Sequence, residues 1–135
     1  MSRAASAADA CALVPAGKLS TYLGIAKQTP FKVPELPQKA TEAKACSYGG
    51  QEYNATVILI KFDSPSAARE YLSKIREELE KKGKKTATEK FDGEDGFSLP
   101  GSMLAVKKNG VLRTNVNPPS PDLTRQVLLL ALRAN

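Results

Sequence analysis

Thr56-Val57-Ile58-Leu59-Ile60-Lys61-Phe62-Asp63-Ser64-Pro65 is the stretch on which the fold turns. Its first half is β-branched and apolar on alternate and intervening positions alike. A strand with no polar side belongs in the middle of a sheet rather than at its edge. Ser64-Pro65 then forms a helix start, a capping hydroxyl followed by a proline at the first helical position. Ala68, Tyr71, Leu72, Ile75 and Leu79 recur at helical spacing beyond it, and Gly83 supplies a stop.

Outward from this core the same plan appears twice. Upstream, Gly49-Gly50 joins a strand at Cys46-Ser47-Tyr48 to one over Glu52–Phe62. Downstream, Thr86–Lys90 reads as a strand, and Asp92-Gly93-Glu94-Asp95-Gly96 as a glycine-flanked acidic loop. Ser102–Lys107 and Val111–Val116 then flank Asn109-Gly110, a strong hairpin signal. Ser120-Pro121 opens a last helix through Leu132, so hairpin, Ser-Pro and helix recur. The sequence therefore predicts an α+β domain over residues 9–135. Its expected core is an antiparallel sheet of about five strands, built from two hairpin–helix units with both helices on one face. An N-terminal helix is expected between Asp9 and Gly24, bent at Pro15, after a flexible Ala/Ser-rich segment over residues 1–8. Residues 25–45, with Pro30, Pro34 and Pro37, read as a long loop.

Several chemistries are excluded or disfavoured by composition. The 135 residues contain no histidine, so Ser-His-Asp and Cys-His catalysis cannot be assembled. There is no phosphate-binding glycine motif, because the glycines fall in turns. Asp92, Glu94 and Asp95 lack the spacing of a calcium-binding loop and read as a solvated acidic turn. No catalytic residue, metal or cofactor is expected, and the chain reads as a non-enzyme. The two cysteines form no CxxC motif. A disulfide between Cys11 and Cys46 is the favoured reading, with buried thiols and reactive chemistry as alternatives. It would tie the first helix to the sheet and close the proline-rich loop.

The net charge of +6 is concentrated toward the two ends of the chain. Tryptophan is absent and basic residues are not interleaved with aromatics, so no specific nucleic-acid signal is present. No apolar run approaches the ~18 residues needed to cross a bilayer. Met1–Ala8 reads like a mature N-terminus after signal removal, which implies an export signal that this chain omits.

The pattern also resembles a known group. Asp9-Ala10-Cys11-Ala12-Leu13-Val14, Leu23-Gly24 and Ala45-Cys46-Ser47-Tyr48 are similar to the opening of bacterial secreted and lipoprotein domains of unknown function. Asp92-Gly93-Glu94-Asp95-Gly96-Phe97, followed by a Met103–Val106 strand and a glycine hairpin, resembles their Gly-Asp-x-Ala-aromatic segment, with Gly96 in place of the usual alanine. The resemblance implies an exported α+β domain with Cys11 joined to Cys46, and carries over no catalytic residue.

The leading expectation is a non-enzymatic binding or accessory domain located outside the cytoplasm, whether periplasmic, secreted or at the cell surface. Its expected surface is an open sheet face together with the loop over 27–44. Lys27, Lys32, Lys39, Lys61, Lys107 and Arg113 are the candidate binding residues, and a protein partner or an anionic surface is the candidate partner. The alternatives are a homo-oligomeric assembly subunit using the apolar last helix, and a basic module for anionic polymers or lipid head groups.

Overall fold

A computed structural model describes residues 11–14, 19, 27–33 and 35–135. In chain order the strands are β1 (Lys27–Phe31), β2 (Ala40–Gly49) and β3 (Asn54–Phe62), followed by helix α1 (Pro65–Lys81). Then come β4 (Ala87–Phe91), β5 (Glu94–Leu99), β6 (Ser102–Lys107) and β7 (Gly110–Asn117), and finally α2 (Pro121–Ala134). The strands form one antiparallel sheet in the order β1-β2-β3-β7-β6-β5-β4. β3 lies in the interior of the sheet, next to the middle strand β7, and is paired with β2 on one side and β7 on the other, as its two-sided apolar sequence requires.

The two Ser-Pro pairs start the two helices. The Ser64 hydroxyl accepts from the Ala67 N–H at 3.1 Å, and the Ser120 hydroxyl from the Leu123 N–H at 3.3 Å. Each hydroxyl satisfies one of the orphan donors of a first turn.

Three expectations are corrected. The sheet has seven strands, not about five. β1 lies inside the proline-bearing stretch read as a loop. It is an edge strand, and an edge needs only half of its N–H groups for pairing, so it tolerates Pro30. β5 lies where an acidic loop was expected. Asp92 and Gly93 both take positive φ, 55° and 84°, and make the two-residue hairpin turn between Phe91 and Glu94. Gly96 then lets β5 pack tightly. A Cβ there would stand 2.2 Å from the Leu104 carbonyl oxygen and 2.8 Å from the Phe91 ring. The alanine usual in the similar domains has no room at this position.

The helices, secondly, lie on opposite faces of the sheet rather than on one. Both pack against β3, β6 and β7. Ile58, Ile60, Phe62, Val106 and Val111 meet Ala67, Ala68, Tyr71 and Leu72 of α1. Val57, Leu59, Met103, Ala105, Leu112 and Val116 meet Val127, Leu128 and Ala131 of α2. The cause is the same alternation that made β3 central: two apolar faces need two covers.

Thirdly, α1 and α2 are the helices whose bounds are described, while Cys11 and Leu19 are each helical. The helix expected over residues 9–24 falls largely outside the described residues, as does the segment over 1–8. Cys11, Leu13, Val14 and Leu19 are described, and they join the α2-side core. Cys11 and Cys46 are bonded as a disulfide, with Cα atoms 5.1 Å apart. Beside it the buried Tyr48 hydroxyl donates to the Cys11 carbonyl at 2.9 Å. Burial raises the Tyr48 pKa.

Candidate functional site

Strand alternation and register place every sheet side chain on one of two faces. The α2 face carries Cys46, Tyr48, Val57, Leu59, Met103 and Leu112, which are buried under α2 and residues 11–14 and 19. The α1 face is covered differently. From Phe62 the helix runs toward β5 and β4, where the Arg76 guanidinium lies over the Phe97 ring and bonds Thr88. Among the described residues, no helix lies above β1, most of β2 and the first half of β3 on this face.

On that open part, register aligns a row of short polar side chains across five strands. Thr29 pairs with Ser47, Ser47 with Thr56, Thr56 with Asn115, and Asn115 with Ser102. The next row runs Phe31, Ala45, Ile58, Arg113. Thr29 and Phe31 are exposed, Ser47, Thr56, Ile58, Arg113 and Asn115 half-buried, and Ala45 and Ser102 buried. Phe31 and Leu36 are the large apolar side chains most open to solvent among the described residues. Phe31 stands at the β1 rim of this surface.

Arg113 is the one cation among these two rows. Its Nε donates to Ser102 Oγ at 3.2 Å and to Asn115 Oδ1 at 3.5 Å, and Ser102 Oγ itself donates to Asn115 Oδ1 at 2.5 Å. No carboxylate among the described residues pairs with it. Its two terminal nitrogens make no hydrogen bond to a described residue, yet no buried polar side-chain atom among the described residues lacks a partner. Those nitrogens therefore reach solvent. Burial lowers the Arg113 pKa, while the neighbouring Tyr71 acts to raise it. Tyr71 is itself shifted upward by burial, with Arg113 opposing and Glu78 adding to the shift. A partly desolvated guanidinium without a counter-ion is costly to keep, and its exposed fork suits a planar oxyanion.

Four of the six candidate binding residues divide between the two faces of the sheet, and two lie in the loop between β1 and β2. Lys27 and Arg113 lie on the α1 face, Lys27 at the outer edge of the open part. Lys32 is exposed just beyond β1. Lys39 reaches Glu70 of α1 at 3.9 Å, both ends well exposed. Lys61 and Lys107 are on the α2 face, where with Lys108, Asn109 and Asn135 they line a cavity of about 200 Å³. Lys107 there donates to the Leu132 carbonyl at 2.6 Å, closing the end of α2. That use fits a helix C-terminus. Ser47, Thr56, Ser102, Asn115 and Tyr71 were missed, because a polar residue on a central strand gains meaning only once its cross-strand neighbours are known.

Two other expected features are absorbed structurally. Asp92 accepts from Arg133 at 2.8 and 3.3 Å, and Asp95 accepts from Lys90, so the acidic turn carries its own cations. Hydrogen bonds from these partners hold both carboxyls below their ordinary pKa. The apolar side chains of α2 are covered within the chain: Val127 and Leu128 are fully buried, and Asn135 ties the helix end to the Leu13 carbonyl at 2.9 Å. No described helix is long and apolar enough to cross a membrane.

No family model matches the chain, and no curated protein matches it in sequence. A solved structure does match in fold. The extracellular domain of PknH from Mycobacterium tuberculosis superposes with a TM-score of 0.61 at 12% identity, over 92% of this chain and 93% of that one.

Proposed function

We propose that this chain is a non-enzymatic binding or accessory domain working outside the cytoplasm, and that it binds its ligand on the open part of the α1 face around Arg113. The observation that carries the reading is the Arg113 guanidinium. It is half-buried, held by Ser102 and Asn115, without a carboxylate partner among the described residues, and open to solvent at its fork. The Cys11–Cys46 disulfide supports an oxidising compartment. The similarity in fold to a domain described as extracellular supports the same location.

A fragment screen followed by backbone amide shifts tests the surface. Hits are expected to move Thr29, Ser47, Thr56, Arg113 and Asn115, and to disappear in Arg113→Gln. Hits confined to Lys61, Lys107 and Lys108 would instead favour the cavity at the end of α2.

A further inference from the structure

We infer that the ligand of this surface is a short saccharide bearing one carboxylate, with the carboxylate on Arg113 and the sugar hydroxyls along the polar row. The inference rests on the binding surface proposed above and names what it would recognise.

Three features favour this chemistry. The first is the backbone. β2, β3 and β7 are paired on both sides, so their main chain is already spent and a peptide could add as a strand only at the β1 edge, at the far side of the surface from Arg113. Recognition falls to side chains. The second is the identity of those side chains. Hydroxyls and amides both donate and accept, as the hydroxyls of a sugar do. Thr29, Ser47, Thr56 and Asn115 stand on four consecutive strands, a floor on the order of 14 Å across at the usual strand spacing. That length suits a short oligosaccharide better than a single small anion.

The third is charge. Arg113 offers one positive charge at the inner end of this floor, and Ser102 and Asn115 hold its Nε while its two terminal nitrogens bond no described residue. Other titratable groups bordering it are Tyr71 and, through Tyr71, Glu78 of α1. Glu70, the residue before Tyr71 on α1, is shared with Lys39. Lys27 stands on the same face but at the outer edge of the open part, so the inner end of the floor presents a single cation, which suits a monoanion. A phosphate dianion or a polyanion would call for more than one cation, and the three lysines of the other cavity lie on the opposite face.

The test titrates the folded chain with a uronic-acid disaccharide, with the same disaccharide after reduction of the carboxylate to an alcohol, and with inorganic phosphate. Amide shifts report the site. Saturable shifts at Ser47, Thr56, Arg113 and Asn115 are expected with the acid form, and binding about tenfold or more weaker with the reduced form. Arg113→Gln is expected to abolish the difference between the two forms, and Thr56→Val to weaken both. Lys107→Gln is expected to change neither. A melting curve matching the parent's shows that each variant is folded.

Equal binding of acid and reduced forms would overturn the carboxylate assignment. Phosphate binding as tightly as the acid disaccharide would overturn the saccharide assignment. Either result, if it maps to Arg113, leaves the surface itself standing. Absence of disaccharide binding overturns the inference alone, since the fragment screen tests the surface independently. Disaccharide shifts centred on Lys61 and Lys107 would overturn both.

Discussion

The two faces of this sheet share strands β3, β6 and β7 but are finished in different ways. On the α2 face, Thr124, Val127, Leu128, Leu130, Ala131 and Leu132 are all buried, and residues 11–14 and 19 extend the cover to β2. On the α1 face only Ala67 and Ala68 of the helix are buried, and Tyr71, Leu72, Ile75 and Leu79 are half-buried. One face is closed as a core, and the other stops partway. Stability is therefore expected to concentrate on the α2 face, and the capacity to bind on the α1 face.

That contrast can be broken most directly from the closed side. Leu128→Ala removes a fully buried side chain and is expected to cost about 2–5 kcal/mol in chemical denaturation. A cost below 1 kcal/mol would mean that the α2 face is not the main core. Gly96→Ala comes next. Its methyl would press on the Leu104 carbonyl and the Phe91 ring, for an expected loss of about 1–3 kcal/mol. An unchanged midpoint would show that β5 has slack.

On the open side, Arg113→Leu is expected to leave the melting temperature unchanged or raise it slightly. Replacing a desolvated charge that has no ionic partner by an apolar group is neutral to stabilising. A large destabilisation would assign Arg113 a structural role and weaken the binding reading.

Acid is expected to act least selectively. Glu80 is held below its ordinary pKa first by the Thr86 hydroxyl. Burial works against the charged form of Glu89, but bonds from Ser98 and Arg125 outweigh it and lower its pKa as well. Asp92 and Asp95 are depressed by their cationic partners. A depressed folded-state pKa contributes stability above the unfolded value and loses it as pH falls through the folded one. Stability should thus be flat near neutrality and decline below the ordinary carboxylate range of about 4. Glu89 and Asp92 brace α2 through Arg125 and Arg133, while Glu80 bonds Arg76 of α1 and Asp95 meets Lys90 on the α1 face. The decline should consequently show no preference for either face. A decline limited to one helix would separate them.

Much of this arrangement was legible before any coordinates. Thr56–Phe62 announced a central strand, and the two Ser-Pro pairs marked both helix starts, because capping and strand alternation are local effects. The missing strands were hidden by competing signals. Pro30 suggested a loop, since edge placement cannot be seen from one strand. Asp92-Gly93 is itself a hairpin signal, but the acid-rich sequence around it masked a strand whose Gly96 is required by a neighbouring ring. The opposite placement of the helices was implied by the apolarity of β3 on both sides. Of the site, Arg113 could be named from sequence, but not its isolation from carboxylates. Isolation is a property of neighbours brought together by register.

The pairing of β3 with β7 has a consequence for how the chain acquires its structure. Residues 54–61 meet residues 110–117 at the middle of the sheet, so the centre is completed only when the last strand is available. Local hairpins and α1 can form early, but neither face of β3 has its full set of neighbours until β7 docks. A topology weighted toward such distant pairings folds more slowly than one built from adjacent contacts. A chain emerging from a ribosome or a membrane channel would hold its most apolar strand exposed until nearly its whole length had come through.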